Sequence, residues 1–452
     1  MSSLTPEVKQ PFSEILSAYT QKITLRMFFL GFSAGLPLLL VLGTLGFWLR
    51  EAGIDRSTIG YLSWIGLIYG LKWVWAPLVD RLTLPLLSNW LGRRKAWLLI
   101  AQALVMIGLV GMSMSDPSQK VKVVAWFALL VAFGSATQDI ALDAFRIESA
   151  DTKIQGVLAA AYQAGYRFAM IWAGAGVLWI AARAQNTPDN VYDHHGWQIA
   201  YLCMAASMLI GVITVLLSKE KPYVPQMHAH SLRQWIQTAF LEPFADFLKR
   251  YQWHAVLILS LIAVYRISDV VMGIMANPFY VDMGYTKDEV ASVTKIYGVI
   301  MTLLGAFIGG GLTVRFGIFR ILMLGAILSA ASNLLFAWLA TQGHDLTGLV
   351  FVISADNLSS GIASAAFIAY LSSLTNVSYS ATQYALLSSM MLLIPKWMAG
   401  FSGVFVDHFG YSTFFISTAV IGLPVLILVW FVGKLDLIQN SNQAENAVKS
   451  QS

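Results

Sequence analysis

One cysteine stands in the 452 residues, Cys203, and it lies within an apolar run. That excludes a disulfide framework. Charge is equally scarce: Asp, Glu, Lys and Arg make up 12% of the chain, about half of what a soluble domain carries. The histidines form no ligand set. His194 and His195, like His228 and His230, fall in polar connections, and His254, His344 and His408 sit near the ends of apolar runs. No metal-ligand spacing lies inside the apolar segments, and neither a metal nor a cofactor is expected. Strict apolar–polar alternation is missing too, which excludes a transmembrane β-barrel.

What the chain has is hydrophobic length, 57% of it apolar. Crossing the hydrocarbon layer takes about 20 such residues as a helix. Twelve runs qualify, near 27–49, 58–79, 96–114, 121–144, 155–182, 197–217, 253–276, 289–312, 318–340, 347–371, 383–405 and 411–432. Those at 197–217 and 411–432 carry no charge at all. The expectation is an all-α polytopic membrane protein, inserted without a cleavable signal peptide. The net charge of +5 is no nucleic-acid signal, because the basic residues sort by face. Of the 29 Lys and Arg, 18 fall on the side of the N-terminus, among them Arg93, Arg94, Lys95, Arg315 and Arg320. Six fall opposite, Arg50, Arg56, Lys120, Lys122, Arg183 and Lys287, and five lie within the runs. The positive-inside rule then places both termini in the cytoplasm.

The longest polar interruption separates the sixth run from the seventh and divides the chain into a six-helix bundle at 1–217, a linker at 218–252 and a second bundle at 253–435. Within the linker, Leu232, Trp235, Ile236, Phe240, Phe244, Phe247 and Leu248 recur at helical spacing between charges, which predicts an amphipathic helix on the membrane surface. The polar residues 436–452 read as a disordered tail. The halves echo each other. Asp80, Arg81, Gly92, Arg93 and Arg94 follow the second run, and Gly309–Gly311, Arg315 and Gly317 follow the eighth. These turns resemble the loop signature of the major facilitator superfamily, which implies conformational latches; the alternative is ordinary loop charge.

Nine charges sit inside the apolar runs. Lys72, Arg167, Lys295 and Lys396 lie in the second, fifth, eighth and eleventh; Asp139 and Asp143 in the fourth; Arg266 and Asp269 in the seventh; Asp356 in the tenth. The third, sixth, ninth and twelfth have none in their interiors. A charge at the bilayer centre costs about 2.5–3.5 kcal/mol even on lenient scales, so these must face one another or water. A third of the helices therefore face lipid, and the rest surround a polar path.

Asp139 and Asp143, four apart, share a helical face, and two close carboxyls in low dielectric do not both ionise. They are candidates for carrying a proton, with Asp269 and Asp356. Asp143 alternatively caps its helix and pairs with Arg146. Arg266 and Asp269, three apart, form either a self-neutralising pair or a switch released by protonation. Lys72, Arg167, Lys295 and Lys396 lack a carboxylate on their own helix within one turn. Five cations against four carboxylates favour an anionic solute; Lys72, beside Trp73 and Trp75, alternatively snorkels to an interface.

The chain resembles the AmpG anhydromuropeptide permeases of the major facilitator superfamily through LGFSAGLPLLLVLGTLGFWL at 30–49, KWVWAPLVDR at 72–81, GRRKAWLL at 92–99, SATQDIALDA at 135–144, GYR at 165–167, DNLSSGIASAAFIAYL at 356–371 and SATQYALLS at 380–388. QDIALD alone also resembles acetyl-CoA transporters. The resemblance implies a twelve-helix fold of two six-helix bundles around a central cavity, in the inner membrane. It implies proton-driven uptake of GlcNAc-1,6-anhydro-MurNAc peptides for peptidoglycan recycling, in some bacteria also controlling β-lactamase induction. The expected substrate contacts are Lys72, Gln138, Gln163, Arg167, Arg266, Lys295, Asn357 and Lys396. The expected partners are this solute, protons and membrane lipids, with the protein acting as a monomeric transporter rather than an enzyme. Another bulky anion, such as acetyl-CoA or a siderophore, is the alternative.

Overall fold

Backbone groups in hydrocarbon find no water, so each crossing segment must bond its own N–H and C=O groups, as a helix does. The computed structural model describes residues 21–81, 83–84, 87–149, 155–188, 191–220, 242–374 and 380–435, and among these the regular structure is helical. Ten helices are long and apolar enough to cross a membrane. Two further segments complete the twelve. We number them α1 (Lys22–Glu51), α2 (56–81), α3 (Arg93–Ser113), α4 (Pro117–Ser149), α5 (155–184), α6 (His194–Leu217), α7 (His254–Asp282), α8 (287–316), α9 (Ile318–Leu339), α10 (Leu346–Leu374), α11 (380–409) and α12 (411–435).

α2 falls short of a regular span because it is interrupted: 3₁₀ turns at Ser63–Gly66 and Lys72–Val74 separate its α-helical pieces. α11 loses regularity after Ala399, and Gly410, at φ 77° and ψ 169°, turns the chain into α12. α5 and α8 each widen into a π-helical stretch, Trp172–Gly176 and Val290–Tyr297. α7 breaks at Arg266. The loop echo between the halves is also an echo of backbone shape. Gly92 before α3 (φ 98°, ψ 159°) and Gly317 before α9 (φ 88°, ψ 156°) take the same left-handed turn, which residues with a Cβ avoid.

α1 packs on α5, α3 on α4 and α6, α8 and α9 on α10, and α9 on α12. The α1–α5 contact is backbone on backbone: a Cβ at Gly31 would strike the Tyr162 carbonyl, and one at Gly165 the Phe28 carbonyl. The four helices without charge in their interiors turn apolar side chains outward, among them Ile107 on α3, Ile213 and Leu217 on α6, Ile327 and Leu334 on α9, and Val420 and Ile427 on α12. Their other sides are not apolar. Gln102 of α3 donates to Ser33 of α1, and α9 turns Ser329, Ser332 and Asn333 inward. Lipid-facing therefore describes one side of each helix.

Of the linker, Leu232–Phe240 lies outside the described residues, as does the tail 436–452. The helix Glu242–Tyr251 buries Phe247 against the second half, with Arg250 donating to the Leu374 carbonyl at 3.1 Å. This stretch packs on protein as well as presenting a surface.

Among the described residues, every extensive packing between the halves runs from mid-depth toward the ends of α1 and α7: α1 on α7, α2 on α11 and the start of α12, and α5 on α8. At α2–α11 the contact is again glycine-made. A Cβ at Gly60 would meet the Gly400 carbonyl at 2.6 Å, and one at Gly403 would overlap the Arg56 carbonyl. The molecule is closed at this face, opposite the basic one. Gly403→Val should therefore leave the fold intact and push the halves apart at this face. Pulsed electron-resonance distances between spin labels on α2 and α11 should lengthen, and unchanged distances would show that the seam tolerates a side chain.

Candidate functional site

In the first half, Lys72 sits in the second 3₁₀ turn of α2 and places Nζ 3.6 Å from Asp139 Oδ2 on α4. Asp139 Oδ1 is buried with no hydrogen-bond partner among the described residues. Lys72 is thus answered by a carboxylate from the neighbouring helix, although it is only half-buried. Asp143 separates from this pair: its side chain is 57% exposed and reaches Arg146 at 3.5 Å. Gln138 is fully buried and donates to Ser33 at 2.9 Å, so in this state it serves the α1–α4 packing. Gln163 is exposed. Arg167 reaches Met170 Sδ at 3.8 Å and has no carboxylate within ion-pair distance among the described residues.

In the second half, the break in α7 puts Arg266 just ahead of a fresh helix start. Asp269 falls in the first turn of that helix, where the exposed N–H groups favour an anion. Arg266 donates to Asp269 Oδ2 at 3.4 Å and to Ser364 at 2.9 Å, while its Nε is buried without a partner among the described residues. Asp269 also accepts from Ser329, and Asp356 lies 3.0 Å from Ser332 Oγ. Asn357 is occupied, accepting from Thr302 at 2.8 Å and donating to the Ile353 carbonyl.

The two remaining cations lie at the seams between halves. Lys396 of α11 donates across to the Gly66 carbonyl of α2 at 2.8 Å and stands over the Tyr69 ring. Lys295 of α8 donates to Asn277 at 2.8 Å, and its stem lies against Gly174 of α5. Both acceptors are neutral.

At the basic face, Arg94 pairs with Glu148 of α4 at 2.8 Å, and Arg93 lies 3.7 Å from the same carboxylate. Glu220 caps α3 by accepting from the Arg94 and Lys95 backbone N–H groups. The side chains of Asp80 and Arg81 lie outside the described residues. Arg315 is exposed and stacks on Phe316.

The closed face carries a cluster that the sequence reading missed. Asp282, at the end of α7, accepts from Arg50 at 2.5 Å, from Arg56 at 2.8 Å and from Tyr411 at 2.6 Å. Arg56 also reaches Asp407 at 3.1 Å, Arg183 reaches Asp288 at 3.3 Å, and Lys287 pairs with Glu51. Each pair joins one half to the other. A signal was available: this face holds few cations, and Arg50, Arg56, Arg183 and Lys287 all stand at helix ends.

A broken-helix bundle with paired charges at mid-depth and ion pairs across one mouth is the architecture of a membrane transporter that alternates between two openings. The sequence pattern of the Major Facilitator Superfamily matches residues 23–395 and 257–450. The anhydromuropeptide permease of Escherichia coli is 34% identical over 92% of this chain and 81% of its own length. An AmpG transporter of Rickettsia conorii is 35% identical over 90% of this chain and 95% of its own. Among solved structures, a mutant of the nucleoside transporter NupG (TM-score 0.69, 15% identity, 91% of this chain and 100% of that one) and a D-xylose–proton symporter (0.67, 16%, 90% and 96%) share the fold. The chain belongs to the AmpG family of the Major Facilitator Superfamily and is a multi-pass membrane transporter of small molecules.

Asp282→Asn should weaken the closed face, because two arginines lose their shared charge. Hydrogen bonds to charged groups contribute about 1.5–3 kcal/mol, so the closed-to-open ratio should fall roughly tenfold or more. In a Cys203→Ala background with Ile274→Cys as reporter, thiol labelling from that face should speed up accordingly. An unaltered rate would remove Asp282 from the gate.

Proposed function

We propose that this protein is a proton-coupled importer of anhydromuropeptides, GlcNAc-1,6-anhydro-MurNAc carrying a stem peptide, from the periplasm to the cytoplasm for peptidoglycan recycling. It sits in the bacterial inner membrane with both termini cytoplasmic, so the closed face is periplasmic and the described state opens inward. The basic face supports that orientation. The observation that carries the reading is the Lys72–Asp139 pair. It is a deep ion pair whose carboxyl has one oxygen with no hydrogen-bond partner among the described residues, beside a wider excess of cations in Arg167, Arg266, Lys295 and Lys396.

The pair supplies a coupling device. Opposite charges about 4 Å apart at an effective dielectric near 20 attract by roughly 4 kcal/mol, worth about three powers of ten in equilibrium. Protonation of Asp139 removes that attraction and frees Lys72 for a carboxylate of the solute. A stem peptide offers several carboxylates, and Arg167 and Arg266 are the further cations placed to receive them. Loss of the proton restores the pair and expels the anion. The substrate class comes from the relatives' names together with this cation excess.

The test is uptake by proteoliposomes of labelled GlcNAc-anhydromuropeptide, with acetyl-CoA in parallel, with and without an inward proton gradient. Gradient-stimulated muropeptide uptake is expected; uptake of acetyl-CoA alone would transfer the reading to another bulky anion. Asp139→Asn should abolish accumulation above equilibrium while solute exchange persists, and unchanged accumulation would take Asp139 out of the mechanism. Arg167→Gln and Arg266→Gln should each raise the apparent substrate constant severalfold.

A further inference from the structure

Two carboxyls of the second half, Asp269 on α7 and Asp356 on α10, are joined through hydroxyls of α9, a helix with no charge in its interior. Ser329 Oγ donates to Asp269 Oδ1. Ser332 Oγ lies 3.0 Å from Asp356 Oδ1 and 2.9 Å from the Ser329 carbonyl oxygen. The charged group shared by the cluster is Arg266, which holds Asp269 at 3.4 Å and acts on Asp356 from further away. Two tyrosines of α7 also face it, Tyr265 toward Asp269 and Tyr280 toward Asp356. The Tyr265 hydroxyl is engaged with the Leu322 carbonyl at 3.0 Å. Among the described residues no cation lies within ion-pair distance of Asp356.

A count of hydrogens separates the two carboxyls. A hydroxyl carries one hydrogen and two lone pairs. If Asp356 is ionised, Ser332 has two acceptors in reach and one hydrogen to give. Both contacts are made in full only when the hydrogen between Ser332 and Asp356 belongs to the carboxyl. Asp356 then donates to Ser332, and Ser332 donates to the Ser329 carbonyl. Asp269 differs: it accepts from two donors, one of them a guanidinium, and needs no proton of its own.

We propose that Asp356 carries the transported proton in the second half, that Ser332 is the positioning residue that receives its hydrogen bond, and that Asp269 remains the ionised partner of Arg266. This rests on the proton-coupled reading above. Release is a simple proton transfer from the Asp356 carboxyl to water at the open face, leaving a carboxylate, with no electron exchanged. Ser332 must then turn its hydrogen from the Ser329 carbonyl to Asp356, so the proton's departure is registered in the α9–α10 contact.

Infrared spectra of the reconstituted full-length protein, titrated with pH, read the carboxyl directly. A protonated-carboxyl band should vanish in Asp356→Asn and persist in Asp269→Asn; the opposite pattern would overturn the assignment. Ser332→Ala removes an acceptor that favours the protonated form, so the band's midpoint should move down by about one pH unit, a tenfold change in proton concentration. Ser332→Thr should restore it. A midpoint that rises would mean that Ser332 donates to an ionised Asp356, and an unmoved midpoint would remove Ser332; either result sinks the proposal. Wild-type uptake that ignores a proton gradient would sink the coupled function. Intact gradient-driven accumulation by Asp356→Asn, with wild type coupled, would sink this assignment alone.

Discussion

A charge in hydrocarbon that nothing answers costs about 2.5–3.5 kcal/mol on the lenient scale and more on others, and the way four of the five deep cations are answered sorts the helices by task. Lys72 and Arg266 are answered by carboxylates, Asp139 and Asp269, within their own halves. Lys295 and Lys396 are answered by neutral oxygens, the Asn277 side chain and the Gly66 carbonyl. A carboxylate partner can be cancelled by a proton. A neutral partner can only be moved away. On the proposed coupling, protonation reaches Lys72 through Asp139, while Asp269 stays ionised beside Arg266. Lys295 and Lys396 sit where the halves meet, and their environment changes when the halves part.

The backbone is irregular where those meetings occur. Regular α-helix spends its carbonyls on itself, so a helix that must hold a partner's cation has to free one. The 3₁₀ turn Ser63–Gly66 of α2 presents the Gly66 carbonyl to Lys396. The π-helical stretch of α5 presents the Ala173 carbonyl to Thr44 of α1 at 2.9 Å, and its Gly174 receives the Lys295 stem. The π-helical stretch of α8 carries Lys295 itself. Such departures from α-geometry concentrate at moving or functional positions. Here they fall on α2, α5 and α8, flanking helices that meet the opposite half.

The twelve crossings and the nine deep charges are legible in the sequence because both follow from local composition: apolar runs of sufficient length, and charges that such runs do not ordinarily tolerate. The Arg266–Asp269 pair is legible from its spacing of three. The Lys72–Asp139 pair is not, because it joins two helices whose relative register depends on packing. The ring of ion pairs at the closed face is hidden for the same reason, since Asp282 reads as an ordinary helix-end acid until Arg50, Arg56 and Tyr411 arrive from three other segments. The polar side of α9 lay within reach of the sequence. Ser329, Ser332 and Asn333 stand at i, i+3 and i+4, one face of a helix, but a search for charge passes over them.

That face matters because a pathway's carboxyls need different surroundings if one is to titrate while the other stays fixed. In the second half, Asp269 has the cation and a hydroxyl donor, whereas Asp356 has a hydroxyl whose single hydrogen is already sought by a backbone carbonyl. In the first half the same separation is reached differently: Asp139 has a cation on one oxygen and no hydrogen-bond partner on the other among the described residues, and Asp143 is out at the helix end with Arg146. Each half thus holds one carboxyl paired with an arginine on its own helix, Asp143 with Arg146 at the exposed helix end and Asp269 with Arg266 at mid-depth. The other carboxyl in each half has no arginine partner on its own helix among the described residues. An arginine stays charged at any physiological pH, so the carboxyl it holds is a fixed part of the electrostatics. On the proposed coupling, the freedom to gain and lose a proton is left to Asp139 and Asp356, on α4 and α10. These helices hold matching places in the two halves, the fourth of each six, so the proposed proton carriers fall on corresponding helices.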